Sequence, residues 1–231
     1  MLCGRDPDRQ TDHCYAQRIQ EPNSSASGFV AIMGQLGALM NPCVPPASTI
    51  DFSAVAFWAQ GTTVTEVTPW VEFGIVKHDN GANNEPLRYY TFCGNCGDKW
   101  QLMDVVPQQD DYFQIAYAGD CWHFFVNAVW KAQRACGVAN MKKATKIRIG
   151  GETTHWDVDM GPQEFKRLLV QQEVNGIPDV WRHFQPIDTA YIRWQYGNRY
   201  FSLFDDASIG SRVMPFDRHF YFGQPSACDP F

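Results

Sequence analysis

From Gly28 onward, apolar residues fall in short runs with polar residues at alternate positions, and turn-forming residues separate the runs. "FVAIMGQL", "IDFSAVAFWAQ", "PWVEFGIVK", "LRYYTF", "KWQLMDVV", "DYFQIAYA", "CWHFFVNAVW" and "ATKIRIGGETTHW" each have strand character. Asn80-Gly81 is a tight-turn step, and Gly119, Asp120 and Asn127 mark further turns. Late in the chain, "AYIRWQY" and "RYFSLF" flank Gly197-Asn198 as a hairpin. One window departs from this rhythm. "GPQEFKRLLVQQEV" sets Phe165, Leu168 and Leu169 at helical spacing behind Pro162, which predicts a short helix near 162–174. Residues 1–27 are polar and end in "EPNSSASG", the pattern of a tail or linker. The expectation is one domain over 28–231. It would be an all-β, antiparallel two-sheet β-sandwich of jelly-roll or concanavalin-like form with that single helix.

Composition narrows the function classes. A chain of 231 residues that is 45% hydrophobic can bury a real core. A net charge of -6 with no basic block argues against a nucleic-acid or anionic-membrane partner. No segment approaches the roughly 20 apolar residues that span a bilayer. The cysteines (Cys3, Cys14, Cys43, Cys93, Cys96, Cys121, Cys136 and Cys228) are even in number, which favours a secreted, disulfide-bonded protein. The opening "MLCGRDPDRQ" has no signal-peptide character, so a mature or partial form is expected. The sequon at Asn23 fits export.

The candidate chemistry lies in two acids. In "PWVEFGIV", Val71, Phe73 and Ile75 share one strand face, and Trp70, Glu72, Gly74 and Val76 share the other. "RIGGETTHW" repeats the pattern: Ile149 and Gly151 fall on one face, and Arg148, Gly150, Glu152 and Trp156 on the other. In each stretch a Glu lies two residues from a Gly on its own face. Glycine weakens a strand and often marks the close approach of a ligand or another backbone. Two carboxylates on one concave surface would split their pKa values, so that one accepts a proton from water while the other protonates the target. Such a pair works at acid pH and needs no metal or organic cofactor. It requires carboxylates within about 6 Å, the reach of one bridging water. The plainer alternative makes both acids solvated residues on exposed sheet faces.

"WVEFGIVKHDNGANNEPLRYYTF" resembles the first signature of the neprosin-like glutamic peptidases, in which a Glu–x–Gly strand leads through an Asp/Asn/Gly-rich turn to an aromatic strand. "GGETTHWDVDMG" is similar to their second signature, a Gly-Gly-Glu followed by Met-Gly. The resemblance spans roughly residues 28 to 161. It implies a β-sandwich endopeptidase with a polypeptide substrate, with Glu72 and Glu152 as the catalytic pair and Trp70, Gly74, Arg148, Gly150, Gly151 and Trp156 shaping the substrate site. The chain departs from the family at "FGIV", where plant members carry Gly-Trp, so proline specificity does not carry over. Scytalidoglutamic peptidases use Gln where this chain has Glu72.

Two alternatives compete. "PWVEFGIV" also resembles the nucleophile strand of family 11 xylanases, jelly rolls with two catalytic glutamates. That resemblance implies a glycoside hydrolase acting on polysaccharide through the same two acids, with Trp58, Trp70, Trp122 and Trp156 stacking on sugars. The xylanase motif around the second acid is missing at Glu152. The other alternative is a non-catalytic glycan- or protein-binding sandwich. "CGNC" at Cys93–Cys96 is expected to be a structural loop rather than half of a zinc site, since no second CxxC follows. His155, Asp157 and Asp159 offer too few oxygen ligands for an expected metal site. Gln60 is expected to be structural.

Overall fold

A computed structural model describes residues 3–5, 12–24, 27–36, 52–62, 68–78, 86–93, 101–105, 111–138, 141–153, 163–185, 194–196, 199–201, 203–205 and 220–222. The regular elements among them are all strands. In chain order they are β1 (Cys3–Arg5), β2 (Asp12–Gln20), β3 (Ser27–Leu36), β4 (Phe52–Gln60), β5 (Trp70–His78), β6 (Leu87–Cys93), β7 (Gln101–Val105), β8 (Asp111–Ala118) and β9 (Cys121–Val126). Then follow β10 (Val129–Cys136), β11 (Lys146–Thr153), β12 (Gln163–Val174), β13 (Ile177–His183), β14 (Trp194–Tyr196), β15 (Arg199–Phe201), β16 (Leu203–Asp205) and β17 (Phe220–Phe222).

They form two antiparallel sheets, a seven-stranded one ordered β1-β2-β11-β4-β5-β6-β7 and an eight-stranded one ordered β10-β9-β8-β3-β12-β17-β16 with β13 on β12. The strands β14 and β15 pair as the expected late hairpin. The expected two-sheet sandwich is therefore present. Period-2 alternation explains it: one face of each strand is apolar and must be covered, and two such faces cover each other.

The core is aromatic. Phe57 and Phe73 from the seven-stranded sheet meet Phe113, Phe124 and Phe165 from the other, with Phe73 at 4.9 Å from Phe113 and Phe57 at 5.1 Å from Phe165 between ring centroids. Each such ring contributes about 1.5–3 kcal/mol by leaving water. A buried ion pair also links the sheets: Arg88 of β6 donates to Asp111 of β8 at 2.6 Å, with side chains 6% and 1% exposed. Asn127 donates to the other oxygen of Asp111 at 2.7 Å, so the carboxylate is held from two sides.

Three connections are two-residue turns with positive φ at both central positions: Gly119-Asp120, Asn127-Ala128 and Asn175-Gly176. The second of these divides "CWHFFVNAVW" into β9 and β10.

Two expectations need correction. The window at 162–174 is strand β12, not a helix. Arg167 has φ 50°, and the pairing with β3 shifts between Lys166 and Leu169. This bulge inserts one residue, so the core-facing positions run Phe165, Leu168, Val170 and Gln172. The first interval is three residues, which imitates helical spacing. Residues 1–27 do not form only a tail: β2 pairs with β11 along Gln20 to Cys14, and β1 pairs with β2. Its polarity misled because Arg18 and Gln20 are buried, with Gln20 Oε1 accepting the backbone N–H of Gln185 at 2.8 Å.

Candidate functional site

Register sets out the second face of the seven-stranded sheet, the one turned away from the sandwich core. Across β11, β4, β5 and β6 its rows read Lys146–Gln60–Trp70–Cys93, Arg148–Trp58–Glu72–Thr91, Gly150–Ala56–Gly74–Tyr89 and Glu152–Ala54–Val76–Leu87. Ala54, Ala56, Trp58, Val76 and Tyr89 form an apolar cluster of their own, with Trp70 packed against it. The face is deepest around Ala54, Ala56, Val76 and Tyr89, and more open toward Gln60, Trp70, Lys146 and Arg148, which are half-buried.

Glu72 is the chemical centre of this surface. It is 2% exposed and accepts a short hydrogen bond from the Tyr89 hydroxyl. A carboxylate so enclosed must be hydrogen-bonded to avoid a heavy desolvation cost. Tyr89 reaches it diagonally because its own cross-strand partner is Gly74. Gly74 is required for packing: a Cβ there would lie 2.0 Å from the Val55 carbonyl oxygen. Gly150 is required for backbone reasons, with φ 153°, a conformation L side chains rarely adopt.

Of the residues expected at the site, Trp70, Glu72, Gly74, Arg148, Gly150 and Glu152 share this face. Gly151 does not. It sits in the row of Val55 and Ile75, on the core side. Trp156, His155, Asp157, Asp159 and Cys96 lie outside the described residues, as does the Asn80-Gly81 turn. Trp58 belongs to the face, but Trp122 is a core residue, 1% exposed with its indole N–H donating to the Met141 carbonyl. Cys93 is disulfide-bonded. Among the described residues no group of three metal-ligating side chains occurs.

Glu72 and Glu152 share a face without meeting. Glu72 pairs with Trp58, and Glu152 with Ala54, on the strand between them. Two strand spacings and four residues of rise separate their Cα atoms by roughly 16 Å. Side chains stand nearly perpendicular to a sheet, so the carboxylates stay well beyond the reach of one water.

Tyr89 and Thr91 escaped sequence analysis. "LRYYTF" holds adjacent tyrosines that must point to opposite faces, and only pairing with β5 decides which one joins Glu72. A separate concavity of about 280 Å3, lined by Tyr117, Asp120, Trp122 and Lys142 among others, lies beside the Cys121–Cys136 disulfide. Burial raises the Tyr117 phenol pKa, reinforced by its hydrogen bond to Asp120.

No family model matches the chain, and no curated protein matches it. Solved structures similar to it include a Bacillus licheniformis β-glucanase (12% identity, TM-score 0.38, covering 64% of this chain and 68% of that one). A glycoside hydrolase family 16 endo-glucanase from Bacteroides ovatus is similar at 10% identity and TM-score 0.38, covering 66% and 70%. Sheep galectin-11 is similar at 13% identity and TM-score 0.31, covering 62% and 96%. Likenesses this distant fix no activity for the chain.

The expectation of a protease of the glutamic peptidase type is corrected. The register keeps the two glutamates too far apart to share the water that such a dyad would activate.

Proposed function

We propose that this chain is a carbohydrate-active β-sandwich that takes a polysaccharide on the Glu72 face of its seven-stranded sheet. The observation that carries this reading is the juxtaposition of an enclosed, Tyr89-bonded carboxylate with two indoles, Trp58 and Trp70, on one strand-built surface. Sugars offer apolar C–H faces and rings of hydroxyls. Indoles suit the first, and a fixed carboxylate accepts from the second. The half-buried end of the face, at Gln60, Trp70, Lys146 and Arg148, is where a chain of sugars would meet it. The Cys121–Cys136 disulfide supports an extracellular or otherwise oxidising setting.

Glycoside hydrolysis is the second reading, favoured by one feature: the hydrogen-bonded, desolvated carboxyl of Glu72 has the surroundings of a proton-transfer group. Glu152 does not complete a dyad, since glycosidase carboxyls lie about 5–9.5 Å apart.

Titration of soluble xylan and mixed-linkage β-glucan into wild type and Trp70→Ala tests the proposal. Trp70 is half-buried and packs on the apolar cluster, so melting of Trp70→Ala is measured first to establish that the variant is folded. The expected outcome is saturable binding that weakens about tenfold or more in Trp70→Ala. Reducing-end release that disappears in Glu72→Gln establishes the hydrolase. Wild type that binds neither polysaccharide contradicts the proposal.

A further inference from the structure

On the Glu72 face, two enclosed side-chain oxygens, those of Gln60 and Thr91, have no hydrogen-bond partner. Thr91, 1% exposed, stands directly opposite Glu72, and its Oγ1 has no hydrogen-bond partner. Gln60 stands directly opposite Trp70, and its Oε1 is equally enclosed and unmet. A buried polar atom without a partner costs folding free energy and calls for a reason. By contrast, Asp111 is held by Arg88 and Asn127, and the Gln20 side-chain oxygen by a backbone N–H. Gln60 and Thr91 lie on adjacent rows of one face, beside Trp70 and Glu72, where a ligand could supply what is missing.

We infer that Gln60 and Thr91 are specificity-determining residues that hydrogen-bond the hydroxyls of a neutral sugar unit seated against Trp70. The inference rests on the carbohydrate reading of this face. The chemistry follows from the inventory of atoms. An amide oxygen and a carboxylate accept only, and a hydroxyl both donates and accepts. A ligand that satisfies all three must bring several donors, as an unmodified sugar ring does. A uronate or sulfated sugar would replace donors with anionic acceptors beside Glu72. Lys146, in the row of Gln60, is already engaged with Glu21 at 3.2 Å.

The test uses Thr91→Val and Gln60→Met, which keep shape and remove the polar atoms. Thermal melting without ligand is measured first, then affinity for soluble xylan and mixed-linkage β-glucan, with polygalacturonate as the acidic comparison. Each variant is expected to melt no lower than wild type, because it loses an unmet group, yet to bind the neutral polysaccharide about tenfold more weakly. Wild type is expected to favour the neutral polymer over polygalacturonate by at least about tenfold. Variants that melt lower but bind unchanged would show the two groups to be structural and overturn the inference. Equal or tighter binding of polygalacturonate would overturn it as well. If wild type binds neutral polysaccharide and both variants match it, this inference alone falls. If wild type binds no polysaccharide, the carbohydrate reading falls and takes the inference with it.

Discussion

At the scale of single residues, Glu72 owes its place to its neighbours on either side. Tyr89 holds its carboxyl, and Gly74 allows β5 to lie close against β4. Gly74→Ala would drive a methyl group into the Val55 carbonyl, which a mid-sheet strand cannot vacate. We expect a loss of about 1–3 kcal/mol, the cost of overpacking, measured as a lower urea midpoint with an unchanged slope. An unchanged midpoint would mean that the strands yield more easily than their register implies. Glu72 itself was legible in the sequence as an acid in an apolar run. Its Tyr89 partner was not, because alternation within β6 tells which residues share a face but not which of its faces lies on the Glu72 side of the sheet. The pairing of Glu72 with Glu152 failed for the same reason. Both were placed correctly on one side of their own strands, but β4 lies between them and offsets them by four residues.

At the scale of elements, the misread window at 162–174 shows how one residue alters a pattern. Arg167 bulges out, and the interval from Phe165 to Leu168 becomes three where an unbroken strand gives two. The amino-terminal strand β2 was hidden differently, because Arg18 and Gln20 are polar residues buried on its core face. The sheets are also tied by polar residues, through Arg88 and Asp111. Asp111→Ala would leave the guanidinium of Arg88 buried without this partner, and a loss of about 3–5 kcal/mol is expected. Replacing both with apolar residues, as in Arg88→Met with Asp111→Leu, should recover much of that loss, since the pair repays little beyond its own desolvation. Chemical denaturation of the single and double variants measures this. A double variant as unstable as Asp111→Ala would show that the pair stabilises the fold in its own right.

At the scale of the whole molecule, two sheets were legible because period-2 alternation recurs along most of the chain, with turn residues where hairpins close. Sheet order was not legible, since β2, β11 and β4 are neighbours in space but distant in sequence. That order builds the Glu72 face, bringing Arg148 of β11 into one row with Trp58, Glu72 and Thr91. The sandwich thus has a buried aromatic interior on one side of the seven-stranded sheet and an acid, two indoles and unmet polar atoms on the other. The most direct measurement of what that side does is amide hydrogen exchange with and without saturating soluble β-glucan. Added protection is expected in β4, β5 and β6 around Trp58, Glu72 and Thr91, with unchanged exchange in β8 and β9 beside the Tyr117 concavity. Protection confined to β8 and β9, or none anywhere, would contradict the carbohydrate reading.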